Sequence, residues 1–161
     1  MKPLNRFVAP AAIVAIMAAA ALPSFSQSLV IAEFMASNQS SIRDEDGDHE
    51  DWIELLNQST DTINLEGWFL TDNATNLKKW AFPHLTLGPA ERLLVFASAK
   101  DRQDPDGPLH TNFKLASEGE YLGIIRPDGL TVEHHFSPSY PLQAQDISYG
   151  LQRVTSATTL I

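Results

Sequence analysis

The chain has 161 residues, of which 20 are acidic and 11 basic, a net charge of −9 and no cysteine. That charge balance repels phosphate backbones and argues against nucleic acid as a partner, and the missing thiols exclude thiolate zinc sites, thiol nucleophiles and disulfide stapling. The length is that of one domain, which must stabilise itself by core burial alone.

The first segment reads as a targeting signal. Lys2 and Arg6 make a basic start, an apolar run follows from Phe7 to Leu22, Pro23 interrupts it, and Ser24 and Ser26 place small residues before a cut between Ser26 and Gln27. This is the pattern of a secretory signal peptide over residues 1–26, with an uncleaved N-terminal anchor as the alternative, the run being short and interrupted for a membrane span. The expected mature chain starts at Gln27, is secreted or held at the cell surface, and has no membrane association once the signal is removed.

From Gln27 onward, apolar residues come in short bursts between turn residues with no sustained helical period, which predicts an all-β chain. The first strand is Ser28 to Met35. The second is Asp51 to Asn57, with Ile53 and Leu55 on its core face, because Glu54 on the other face would need a partner if buried. Thr62 to Leu65, Gly67 to Asp72 and Lys79 to Phe82 follow. The unbroken apolar run within Arg92 to Ser98 predicts a strand covered on both faces. Lys100 to Pro108 is a polar surface loop. Asp128-Gly129 makes Glu120 to Phe136 the clearest hairpin in the chain, and Asp146 to Val154 closes the pattern. Seven to nine short strands at near-even spacing predict a small β-sandwich over residues 27–154, with 155–161 as a C-terminal tail or truncated linker.

The acidic stretch RDEDGDHEDWIEL, Arg43 to Leu55, is the strongest candidate for chemistry. An EF-hand loop counted from Asp44 fails, since Gly47 falls at position four and Leu55 at the closing position, where a bidentate glutamate is required. Asp44, Asp46, Asp48 and Asp51 remain a candidate calcium group of another kind, if backbone oxygens and water complete the shell. The competing reading is a solvated acidic turn that keeps a sheet end soluble. Glycoside hydrolysis needs two carboxyls held across a cleft, one in an apolar setting, and a run of charged neighbours offers neither.

His49, His84, His110, His134 and His135 read as structural. His134 and His135 are adjacent in a strand and point to opposite faces, and none has the spacing of a helical zinc site. No nucleophile elbow, Walker loop or dinucleotide fingerprint occurs. Asn38, Asn57 and Asn73 begin Asn-x-Ser/Thr sequons, which matter only in a glycosylating pathway.

In order, LVIAEFMASN, DWIELLNQS, INLEGWFLTD, FPHLTLGPAERLLVFAS and LHTNFKLASEGEYLGIIRPDG resemble the lamin tail domain, across Leu29 to Gly150. The resemblance implies an immunoglobulin-like sandwich and, by similarity to bacterial exported members, an accessory module of a larger secreted or surface protein. Trp52, Trp68 and Trp80 read as core or cover residues, with a sugar-binding platform as the alternative for any that is accessible. The expected function is a non-enzymatic exported binding or spacer module for a protein or glycan ligand, serving adhesion, anchoring or orientation. The alternative is the N-terminal accessory domain of an exported hydrolase whose catalytic domain lies beyond Ile161, the chain being read as truncated at TSATTLI. No catalytic residue or bound cofactor is expected, calcium on the acidic loop being the one candidate ligand.

Overall fold

The computed structural model describes residues 27–151. The expected signal peptide and C-terminal tail lie outside the described residues. Eleven short strands form among the described residues: β1 (Leu29–Met35), β2 (Asp51–Asn57), β3 (Ile63–Asn64), β4 (Phe69–Thr71), β5 (Trp80–Ala81), β6 (Thr86–Leu87), β7 (Arg92–Ala97), β8 (Leu109–His110), β9 (Leu122–Ile125), β10 (Val132–Phe136) and β11 (Tyr149–Gly150). A five-stranded sheet in the order β11-β1-β2-β7-β8 faces a four-stranded sheet β10-β9-β4-β5, and β3 and β6 form a small ribbon. All pairs are antiparallel except β7 with β8. The all-β, immunoglobulin-like sandwich is therefore present with more strands than the expected seven to nine. The surplus lies in pieces such as β6 and β8, each two residues long, too short for an alternating pattern to register.

The core follows from side-chain alternation. Leu29, Ile31 and Phe34 of β1, Ile53 and Leu55 of β2 and Val95 of β7 close on Leu70, Trp80, Leu122 and Ile124 of the opposing sheet. Ile53 and Leu55 face inward as expected, while Glu54 on the other face pairs with Arg92. All three tryptophans are covered, at 9 % exposure for Trp52, 7 % for Trp68 and 1 % for Trp80, so none offers a platform for a sugar ring.

The expectation that β7 is covered on both faces holds at only one end. Phe96 joins Met35 and Trp52 in a second apolar cluster and stacks on His110 with ring centroids 5.1 Å apart, whereas Leu94 is 37 % exposed. In the β9–β10 hairpin Asp128 Oδ1 accepts the amides of Leu130 and Thr131 at 2.9 and 2.8 Å, and Gly129 takes a φ of 67°, the left-handed conformation that such a turn demands.

Residues 137–151 form an arm that returns to the five-stranded sheet as β11. Gly119, at φ 98°, lets the arm approach so closely that a Cβ there would lie 2.2 Å from the Tyr140 carbonyl oxygen, and a Cβ at Gly150 would lie 2.4 Å from that of Ala32. Asp146 then clamps the arm to the loop after β1, Oδ1 accepting the amides of Gln39 and Ser40 at 2.7 and 2.8 Å.

Candidate functional site

Two loops meet at one end of the sandwich because β2 and β7 run antiparallel with Asp51 opposite Ala97. The residues just before β2 and those just after β7 are thereby brought to one place. Asn38 and Asp51 close the base of the first loop. The Asn38 amide donates to the carbonyls of Ile42 and Glu50 at 2.7 and 2.8 Å, and Asp51 Oδ1 accepts the Asn38 amide N–H at 3.1 Å. Within the loop, Asp44 Oδ1 accepts the amides of Asp46 and Asp48 at 3.0 and 2.9 Å, which folds the acidic run back on itself.

The second loop delivers the cations. Lys100 Nζ donates to Asp44 Oδ2 and, at 2.8 Å each, to Asp46 and Asp48. Arg102 donates to Glu45 and to Asp46, the latter at 2.6 Å. His110, wholly enclosed, has Nε2 2.9 Å from Glu45 Oε2 and Nδ1 2.8 Å from Ser98 Oγ. Four carboxylates thus face two permanent cations and one imidazole.

The electrostatics follow from these contacts. Hydrogen bonds from Arg102 and then Lys100 pull the Asp46 carboxyl down to about 2. Burial pushes Asp44 up, but the bond from Lys100 and the amides of Asp48 and Asp46 outweigh it and leave the group below the ordinary carboxylate range. Burial opposes the charge on Lys100, and its three carboxylate partners reverse that and raise it well above its ordinary value.

Of the four residues of the candidate calcium group, Asp44, Asp46 and Asp48 converge and Asp51 does not. Asp51 is a correction: it begins β2, faces the Asn38 amide, and is raised above its ordinary value, first by burial, as a structural carboxyl is. One oxygen from each of the other three lies within 4.8 Å of the others, and the same spacing holds for Asp44, Glu45 and His110. The point shared by Asp44, Asp46 and Asp48 is bonded to the Lys100 ammonium, so a divalent cation would have to displace it.

Ser98, His110 and Glu45 form a chain that superficially has the members of a hydrolytic triad. Ser98 is 4 % exposed and its Oγ accepts the Lys100 amide N–H at 3.1 Å, so an acyl substrate has no approach to it in this arrangement. The chain instead fixes the β8 end against the acidic loop. His110 reads as structural from the sequence, in keeping with its enclosure, whereas no role for Lys100, Arg102, Glu45 or Ser98 is legible there. The basic pair followed the right strand, but only the β2–β7 register shows that it lands on the acid run.

The sequons divide sharply. Asn38 and Asn57 are buried with their amides donating to backbone carbonyls, Asn57 to those of Asp61 and Leu87 at 2.8 and 2.9 Å. Asn73 is exposed, its Oδ1 accepting the Thr75 amide at 2.8 Å.

A match to the Lamin Tail Domain family spans residues 23–136, most of the chain. The chain belongs to the lamin tail domain family. A search of curated proteins returns no match. The lamin tail match includes both loops of the ionic cluster and ends at Phe136, the last residue of β10, so the arm carrying β11 follows the matched part. No helix among the described residues is long and apolar enough to cross a membrane.

Proposed function

We propose that this lamin tail domain is an exported, non-enzymatic binding or spacer module that gives adhesion, anchoring or orientation to a larger secreted or surface protein. The observation that carries the reading is the Lys100 ammonium bonded to Asp44, Asp46 and Asp48. Carboxylates neutralised across two loops are poorly placed to act as acid, base or nucleophile, and well placed to hold those loops in one shape. Rigid loops at the end of a sandwich are the usual place for recognition, since the sheets fix their bases while their tips stay in solvent. The partner is a protein or a glycan. The reading takes Lys100 as the internal cation of the loop pair, in the place that a calcium ion would otherwise hold.

The experiment is an array of glycans and extracellular proteins probed with the full exported chain. Binding that weakens on Arg102→Ala or Asp46→Ala supports a role for this end of the sandwich. Silence across the array, or hydrolysis of an arrayed glycan, refutes the proposal.

A further inference from the structure

Strand β1 borders β2 on one side, but on the other side, among the described residues, a strand closes only part of its edge. β11 pairs with Glu33 and Phe34, and the Leu151 amide adds a bond to the Ala32 carbonyl at 2.8 Å. Further back, side chains of β10 replace a strand. Glu133 Oε1 accepts the amides of Ser28 and Leu29 at 2.6 and 3.3 Å and the Ser28 hydroxyl at 2.9 Å, and His134 Nδ1 accepts the Ile31 amide at 3.3 Å. Neighbouring strand residues ordinarily point to opposite faces. Here a bulge supplies the exception: Val132 opposes Ile125 and His134 opposes Ile124, so Glu133 has no partner residue and both it and His134 reach β1. His135 turns the other way, its ring 5.8 Å from that of Tyr121.

The imidazole can accept only while Nδ1 carries no proton, so the closed edge requires neutral His134. Protonation sets a second N–H against the Ile31 N–H in a site that is 7 % exposed, where two donors share no acceptor. The charged groups around it are Glu133 and His135 on β10 and Arg126 at the end of β9, which is bonded to Glu133. The residue before β1 contributes the Ser28 hydroxyl on Glu133, and β11 the Tyr149 phenol, whose ring lies 5.8 Å from Phe136, itself against His134 at 5.4 Å. Burial chiefly, then His135, holds His134 below its ordinary value of 6.5 against the pull of Glu133. Burial raises Glu133, but its bonds from Arg126, Ser28 and Leu29 outweigh this, so its half of the closure stays ionised where the imidazole titrates.

We propose that His134 is an acid-sensitive latch between the two sheets: neutral, it seals the open edge of β1, and protonated, it releases Ile31 and uncovers a strand edge. An uncovered edge is a template for pairing with another strand, so the latch confines that exposure to acidic surroundings.

The test is amide exchange, read by NMR on the full exported chain and corrected for intrinsic rates. Protection at Ile31 falls by up to about tenfold per pH unit as pH drops below the ordinary histidine value, levelling off below the folded pKa of His134. Ile53, in the middle of the same sheet, exchanges only through larger openings and stays better protected than Ile31 at every pH. His134→Gln retains an accepting carbonyl that does not titrate and abolishes the slope at Ile31. A flat wild-type profile, or a slope that survives in His134→Gln, overturns the latch. The ring titration of His134 in the wild type requires no variant to fold, and a midpoint at or above the ordinary histidine value also overturns it.

Discussion

Replacing Lys100 by Met tests the centre of the ionic cluster while keeping most of the aliphatic stem. The Asp44 side chain has no solvent exposure and Lys100 is 19 % exposed, so the pair is largely desolvated. Breaking a fully buried pair costs about 3–5 kcal/mol. Asp44 keeps the amide N–H groups of Asp46 and Asp48 on Oδ1, and only Oδ2 loses its partner, which reduces the loss to about 2 kcal/mol. The more exposed Asp48 adds at most a few tenths of a kcal/mol. For a domain of this size that is a fall in Tm of roughly 8 °C, read by circular dichroism and checked as a lower urea midpoint. Raising the salt concentration recovers part of the loss, since the remaining carboxylates repel one another through solvent. A Tm within about 2 °C of wild type refutes the assignment of Lys100 as the cation that holds this loop.

Calcium gives a companion result: wild-type Tm is the same in millimolar calcium and in chelator, whereas Lys100→Met, with its three carboxylates released, is stabilised by calcium by about 1.4 kcal/mol at tenfold excess over Kd; a calcium-dependent rise in the wild type contradicts the internal-cation reading. Gly119→Ala costs at least about 2 kcal/mol by chemical denaturation, because φ is 98° and the new Cβ meets the Tyr140 carbonyl oxygen. Gly47→Ala, at φ 86° but in open space, costs only about 1 kcal/mol. Equal costs at the two sites would show that the arm does not lie against Gly119. Asp146→Ala frees the arm and accelerates proteolysis between residues 137 and 151. The bonds from Gln39 and Ser40 hold Asp146 near about 2, so in the wild type the clamp is fully present above the ordinary carboxylate value of 3.8 and is lost as pH falls through about 2. Wild-type proteolysis that accelerates already at pH 5 would refute that assignment.

The two aspects of this protein differ in how far they could be read from the chain. Residues 51–57 announced β2 and its inward face because a strand has a period of two and Ile53 and Leu55 fall on the same side. The Asp128-Gly129 turn announced its hairpin because few residue pairs accept the required backbone. The two-residue strands β6 and β8 carried no such pattern, their pairing being imposed by neighbours already in place.

The acidic loop was legible as an acidic loop, together with the closeness of its carboxylates, but its counter-ions were not. Lys100 and Arg102 stand 52 to 57 residues from the carboxylates they bind, His110 stands 65 residues from Glu45, and His134 stands 103 from Ile31. The sequence by itself determined the all-β class, the position of the core strands and the location of the acidic turn, since these depend on local periodicity and turn chemistry. Only the tertiary structure decided that Asp51 leaves the acidic group, that a lysine from across the sheet completes it, and that a histidine closes the edge of β1. Those outcomes depend on strand register and on a single bulge, which place distant groups within hydrogen-bonding range and leave no periodic trace in the chain.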